Sequence, residues 1–275
     1  MATLVLLSAA LLLGLLLPSS MANNILYAGD TLYSDYSLTE GSYTFTMQDD
    51  CNLVLDESRL EVWSSNTTGQ GTACHVKLYT DGNLVIYNSN DKPINWSSDT
   101  AGKEDKYILV VHRDGHVVIY EPIWTRPNRN TANYKGVVTV KRGHSDTSIT
   151  AADNNILYAG DTLNTSQSLT QGSHTFIMQS DCNLVLDDGQ NQALWTSATN
   201  GLGDNCFANL QTDGNLVIHN DKNEAVWSTN TAGKEDKYIL VLHRDGHIMI
   251  YKPIWTRPNN DDNSTNRKIA MVTNN

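Results

Sequence analysis

The stretch MQDDCNLVLD at residues 47–56 returns as MQSDCNLVLD at residues 178–187, and its residue types suit the recognition of hydroxyl groups. Read as an extended strand, it sends alternate side chains to opposite faces. Gln48, Asp50, Asn52, Val54 and Asp56 then share one face, and Asp49, Cys51, Leu53 and Leu55 the other. A row of amide, carboxylate and amide beside a small aliphatic patch can grip a polyhydroxylated ligand, since amides donate and accept, a carboxylate accepts, and valine packs on a C–H face. Edited versions stand at 79–87 (YTDGNLVIY), 112–120 (HRDGHVVIY), 211–219 (QTDGNLVIH) and 243–251 (HRDGHIMIY), giving six copies of one polar row. Asp81-Gly82 and Asp114-Gly115 are also hairpin-turn signals, which would scatter that row. The extended reading is preferred because the two cysteine copies lack the glycine.

Catalysis fits the pattern poorly. The acids recur as lone members of each row, not as a pair built to divide acid and base roles. No Gly-x-Ser-x-Gly elbow is present. The pairs His112/His116 and His243/His247 would share a strand face and could meet a metal, but no third ligand accompanies them. They read better as replacements for the amides, so neither metal nor cofactor is expected. A formal net charge of −11 argues against nucleic acid or an anionic membrane as partner, because both require clustered Lys and Arg.

The elements that position these rows repeat at two scales. Residues 23–32 (NNILYAGDTL) recur at 154–163, and residues 100–110 (TAGKEDKYILV) at 231–241, an offset of 131. The expected organisation is a domain at 23–127, a linker at 128–153 that is exposed and open to cutting, a second domain at 154–259, and a polar tail at 260–275. Within each domain the row aspartates are 31 and 33 residues apart (Asp50, Asp81, Asp114), or 32 and 32 (Asp181, Asp213, Asp245). One tryptophan follows each row: Trp63, Trp96, Trp124, Trp195, Trp227 and Trp255. A large aromatic at a fixed place in every unit reads as core packed around a shared pseudo-threefold centre, in preference to a stacking platform for ligand. Short β-rich runs between turn clusters such as residues 66–69 (NTTG) and 220–223 (NDKN) indicate an all-β chain.

Residues 1–22 carry no charged side chain, and their apolar run at 4–17 is too short to span a bilayer. With Ser20-x-Ala22 as a small-residue cleavage site, they read as a signal peptide cut before Asn23. No later stretch is apolar enough for membrane insertion. The expected location is therefore secreted or vacuolar, where Cys51, Cys74, Cys182 and Cys206 can form disulfides. Their matched spacing favours one short-range bridge per half, although four cysteines allow three pairings.

The unit Gln-x-Asp-x-Asn-x-Val-x-Tyr, three times per domain with one tryptophan each, resembles that of the monocot mannose-binding (bulb-type) lectins. The resemblance covers almost all of residues 23–127 and 154–258. It implies two tandem β-prism II domains, each of three four-stranded sheets about a pseudo-threefold axis, with a disulfide joining the first two units. It also implies mannose sites without metal, in which Asp and Asn reach one sugar hydroxyl, Gln and Tyr two others, and Val packs on the ring. Exchange of C-terminal strands, between domains or in a homo-oligomer, and a role in plant defence are further implications.

No copy here is complete. The first units keep Gln48, Asp50, Asn52 and Val54, and Gln179, Asp181, Asn183 and Val185, with Asp56 or Asp187 at the Tyr place. The second unit of the first half keeps Asp81, Asn83, Val85 and Tyr87, with Tyr79 for Gln. Its counterpart keeps Gln211, Asp213, Asn215 and Val217, with His219 for Tyr, and is the best copy because imidazole can donate or accept. The third units carry His for both Gln and Asn and are expected to be weak or dead. Expected function is therefore binding of mannose or mannose-containing N-glycans. The alternatives are a storage or protein-interaction scaffold with decayed sites, and a lectin re-specified to complex N-glycans. Sequons stand at Asn66, Asn95, Asn164 and Asn263. Asn95 precedes a tryptophan expected to be buried, which makes it the poor acceptor of the four.

Overall fold

Strands of three to five residues, bounded by Gly, Asn and Asp turns, build almost the whole molecule. The computed structural model describes residues 24–127, 154–190 and 192–259, and among these there is no helix. The expected signal peptide, linker and tail, with Asn263, lie outside the described residues. Four antiparallel sheets have four strands each and belong to the first and second units. The first-unit sheet of the first half, for instance, runs Ser37–Glu40, Tyr43–Met47, Leu53–Glu57, Leu60–Ser64. Along Leu53–Glu57, Leu53 and Leu55 face the core with no exposed surface, as period-two patterning requires.

The third units depart from separate four-stranded sheets. They fuse into one six-stranded sheet through the ten-residue strands Val117–Arg126 and Ile248–Arg257. Each long strand pairs with its own half through its first residues, then runs antiparallel along the other long strand, Ile119 opposite Trp255 and Trp124 opposite Ile250. The two halves thus exchange C-terminal strands within one chain.

This exchange changes where the tryptophans lie. Trp63 and Trp96 meet Trp255 from the other half at 6.0 and 6.4 Å between ring centres, edge to face. Trp124 meets Trp195 and Trp227 at 5.9 and 6.5 Å. The threefold centres exist, but the third tryptophan of each is donated by the opposite half. Each such pair adds about 0.5–1.5 kcal/mol beyond burial of the ring. Cys51 is bridged to Cys74 and Cys182 to Cys206, joining first and second units. Loops of this length stabilise by about 3 kcal/mol each in the chain-entropy account.

The extended-strand reading of the polar row is corrected by the structure. Residues 48–52 form the turn between Tyr43–Met47 and Leu53–Glu57, with Gln48 N–H donating to the Asn52 carbonyl at 2.9 Å and Cys51 N–H to the Gln48 carbonyl at 3.1 Å. The same turn occurs in all six units. The residue in its left-handed position is Gly82, Gly115, Gly214 or Gly246 in four units, and Cys51 (φ 75°) or Cys182 (φ 71°) in the other two. A cysteine tolerates that unfavourable backbone because the surrounding structure, disulfide included, holds it there. Lack of glycine was therefore no argument against a hairpin.

Candidate functional site

The turn gathers the polar row instead of scattering it. In every unit the row aspartate accepts, through Oδ1, the backbone N–H two residues on. These Asx turns have lengths of 2.9–3.2 Å and leave Oδ2 out of the turn. In the first and second units the next polar residue is asparagine. Its Oδ1 accepts a backbone N–H from a threonine on the neighbouring segment: Thr67 at 3.2 Å for Asn52, Thr100 at 3.4 Å for Asn83, Thr199 at 3.3 Å for Asn183 and Thr231 at 3.3 Å for Asn215. A hydroxyl from Ser65, Ser98, Ser197 or Thr229 approaches the same Oδ1 at 3.1–3.2 Å. Because those N–H groups need an acceptor, the carboxamide is fixed with its NH2 turned away from them. The carboxylate oxygen left out of the Asx turn and the carboxamide NH2 left out of these bonds follow each other in the row, with the asparagine half-buried in three units and buried, at 7% exposure, in the case of Asn52. One sugar hydroxyl can donate to the first and accept from the second.

Sequence reasoning missed the residues that fix the carboxamide. Their signal is legible: Trp-Ser/Thr-Ser/Thr-x-Thr follows the row at 63–67, 96–100, 195–199 and 227–231, and is replaced by Trp-Thr-Arg-Pro at 124–127 and 255–258.

The remaining row positions differ between copies. Val54, Val185 and Val217 are buried at 1, 6 and 4% exposure, whereas Val85 is half-buried and lines an open cleft of about 490 Å³ with Asn83, Trp96 and Asp99. A second cleft of about 380 Å³ is lined by Gln211, Thr212, Asp213, Asn209 and Glu235. Tyr79 and Tyr87, the first and last positions of one row, touch through their hydroxyls at 2.6 Å. Burial first, then the Tyr87 hydroxyl, pushes the Tyr79 phenol up to about 12. His219 stacks on Phe207 at 5.2 Å. At the Tyr place of the first units, Asp187 accepts the Gly189 N–H in its own turn at 2.6 Å, and burial followed by the Glu61 charge raises the Asp56 carboxyl.

The third copies are filled from within the chain. Asp114 Oδ2, the oxygen left out of the turn, accepts from Lys237 Nζ of the other half at 2.9 Å, and Asp245 Oδ2 lies 3.5 Å from Lys106 Nζ. Tyr120 and Tyr251 are fully buried, and their hydroxyls donate to the Lys237 and Lys106 carbonyls at 3.1 Å. Each also contacts the Nε2 of its unit's first histidine, His112 at 3.0 Å and His243 at 2.9 Å. Burial lowers both imidazoles to about 4. Burial would raise Asp114, but hydrogen bonds from Lys237 and His116 outweigh it and hold the carboxyl at about 2.

A mannose-specific lectin of Colocasia esculenta is 35% identical over 219 residues, 76% of this chain and 75% of that protein. The chain belongs to the monocot mannose-binding lectin family. The mannose-specific lectin of Galanthus nivalis is 46% identical over 83 residues, 30% of this chain, and the chain spans about half (53%) of that protein's length. Among solved structures, the two-domain fetuin-binding agglutinin of Scilla campanulata superposes with a TM-score of 0.70 at 35% identity, covering 85% of this chain and 100% of that one. No family model matches the sequence. The all-β architecture described above is accordingly the β-prism II fold of the bulb-type lectins, in a two-domain member.

Proposed function

We propose that the chain is a lectin that binds mannose or mannose-containing N-glycans without a metal, through its first- and second-unit turns. The observation that carries this reading is the four-times repeated pairing of an Asx-turn aspartate with an asparagine whose carboxamide is fixed by a neighbouring N–H. The assigned sugar-facing groups are Asp50, Asp81, Asp181 and Asp213 as acceptors, with Asn52, Asn83, Asn183 and Asn215 as donors. Gln48, Gln179 and Gln211 act at the rim, as do Tyr87 and His219. Val85 supplies the apolar contact in its unit. The second units are assigned as sites whose residues line open clefts, Asn83 and Val85 in one half and Gln211 and Asp213 in the other. The division into lectin domains at 23–127 and 154–259, and a secreted or vacuolar location, belong to the same reading.

The hydroxyl pair of Tyr79 and Tyr87 favours a second reading for one site alone. It replaces the amide rim by aromatic surface and suits a larger glycan than a single mannose. Binding of the full chain to mannose-rich and complex N-glycans, with free mannose as competitor and EDTA as control, tests both. Competition by mannose that EDTA leaves intact is expected. Folded protein with no glycan bound would refute the lectin assignment.

A further inference from the structure

Asn95 stands where the other five units are aliphatic. The residue before the unit tryptophan is Val62, Ile123, Leu194, Val226 or Ile254 elsewhere, and the residue after it is always Ser or Thr. The one asparagine therefore completes Asn95-Trp96-Ser97, the acceptor signature for N-glycosylation. In the fold the obstacle expected from the buried tryptophan disappears. Strand Pro93–Ser97 is bulged, pairing Ser97 with Val85 but Pro93 with Tyr87. Ile94 and Trp96 pack on the core while Asn95 between them, on the alternate side of the strand, stays exposed. Asn95 lines the open cleft of about 490 Å³ together with Asn83, Val85 and Trp96.

We infer that Asn95 is an N-glycan attachment site and that its glycan covers the Asn83/Val85 cleft, so that modification removes one sugar site from the first half. The inference rests on the lectin reading and on passage through the secretory route. The amide nitrogen of Asn95 attacks the anomeric carbon of an oligosaccharide carried on a lipid diphosphate. The N-glycosidic bond forms, the lipid diphosphate leaves, and the amide proton is released. Attachment precedes folding, because strand pairing afterwards holds residues 93–97 in the sheet. Once folded, the first sugar emerges into the cleft without disturbing the core. Val226 stands at the matching place of the other half, so no sequon forms beside Asn215 and Val217 there.

The full chain, secreted from a eukaryotic host and also made in bacteria as the sugar-free form, tests this by peptide mass over Asn95 and by calorimetric counting of mannose sites. The Asn95 peptide from the secreted protein should carry a glycan that N95Q and S97A abolish. Secreted wild type should bind one mannose fewer per chain than either variant or the bacterial protein. S97A leaves the asparagine in the cleft, so agreement of the two variants assigns the effect to the glycan. An unmodified Asn95 peptide in secreted folded protein would overturn the proposal, as would a modified one with an unchanged number of sites. Absence of mannose binding in the bacterial protein would overturn the lectin reading and the loss of a site with it, while the peptide mass would still decide attachment.

Discussion

At the residue scale the six row aspartates are identical in backbone role and opposite in availability. Each accepts its own turn N–H through Oδ1, but Asp213 lines a cleft whereas Oδ2 of Asp114 holds Lys237. D213N keeps the turn acceptor and replaces the other acceptor by a donor, which leaves a sugar hydroxyl unmatched. It should weaken mannose binding at that site by roughly 5- to 150-fold, from about 1–3 kcal/mol for an unmade bond, with little change in melting temperature. D114N should do the reverse, leaving binding intact and lowering stability by up to about 1 kcal/mol, the worth of a half-exposed ion pair. Titration calorimetry and thermal melts separate the two. A Cβ on Gly82 would lie 2.6 Å from the Tyr107 ring, on a backbone with φ of +84°. G82A should thus cost more than about 2 kcal/mol through strain and overpacking, read as a lowered denaturation midpoint. The identity of the row residues was legible in the sequence, because residue type and spacing carry it. Their conformation was not, since Cys51 and Cys182 hide a left-handed turn that glycine announces elsewhere.

At the scale of elements, the six-stranded sheet converts two sugar-type turns into an interdomain latch. Its outer face buries Val118, Tyr120, Met249 and Tyr251 in one cluster, where an open sugar site would need them exposed. The sequence showed that these units had lost their amides but not what replaced the ligand. Lys106 and Lys237 lie in the repeated KEDKY run, and only the strand exchange brings each to the opposite half. The latch makes stability depend on pH. His112 and His243 are held neutral, lowered to about 4 from an unfolded value near 6.5. The unfolded chain therefore binds more protons between those values. Stability should be full above about pH 6.5 and fall by up to about 3 kcal/mol per histidine as pH drops to 4. Asp114, lowered to about 2, contributes stability that is lost only below its unfolded value near 3.8. Urea denaturation from pH 7.5 to 4 should show the slope, and H112Q/H243Q should flatten it.

For the whole molecule, tandem repetition and the threefold spacing of aspartate and tryptophan already indicated two all-β domains of three units. What the repeat could not tell is that each core is completed by the other half. Ile119 faces Trp255 across the exchanged strands, and Trp255 closes the first core as Trp124 closes the second. Cutting the chain between residues 128 and 153 should therefore leave both parts in one particle. Native mass spectrometry and gel filtration should report one particle of the same mass before and after cleavage.

The pairing of aspartate and asparagine in four turns, with the third pair of turns closed, is tested most directly by glycan binding of three forms of the full chain. These are wild type, the quadruple variant D50N/D81N/D181N/D213N, and the double variant D114N/D245N, each assayed on mannose-rich glycans with free mannose as competitor. Binding should be competed by mannose in wild type and in the double variant, and be lost in a quadruple variant that still folds. Undiminished binding by the quadruple variant, or loss confined to the double variant, would contradict the assignment of the sites.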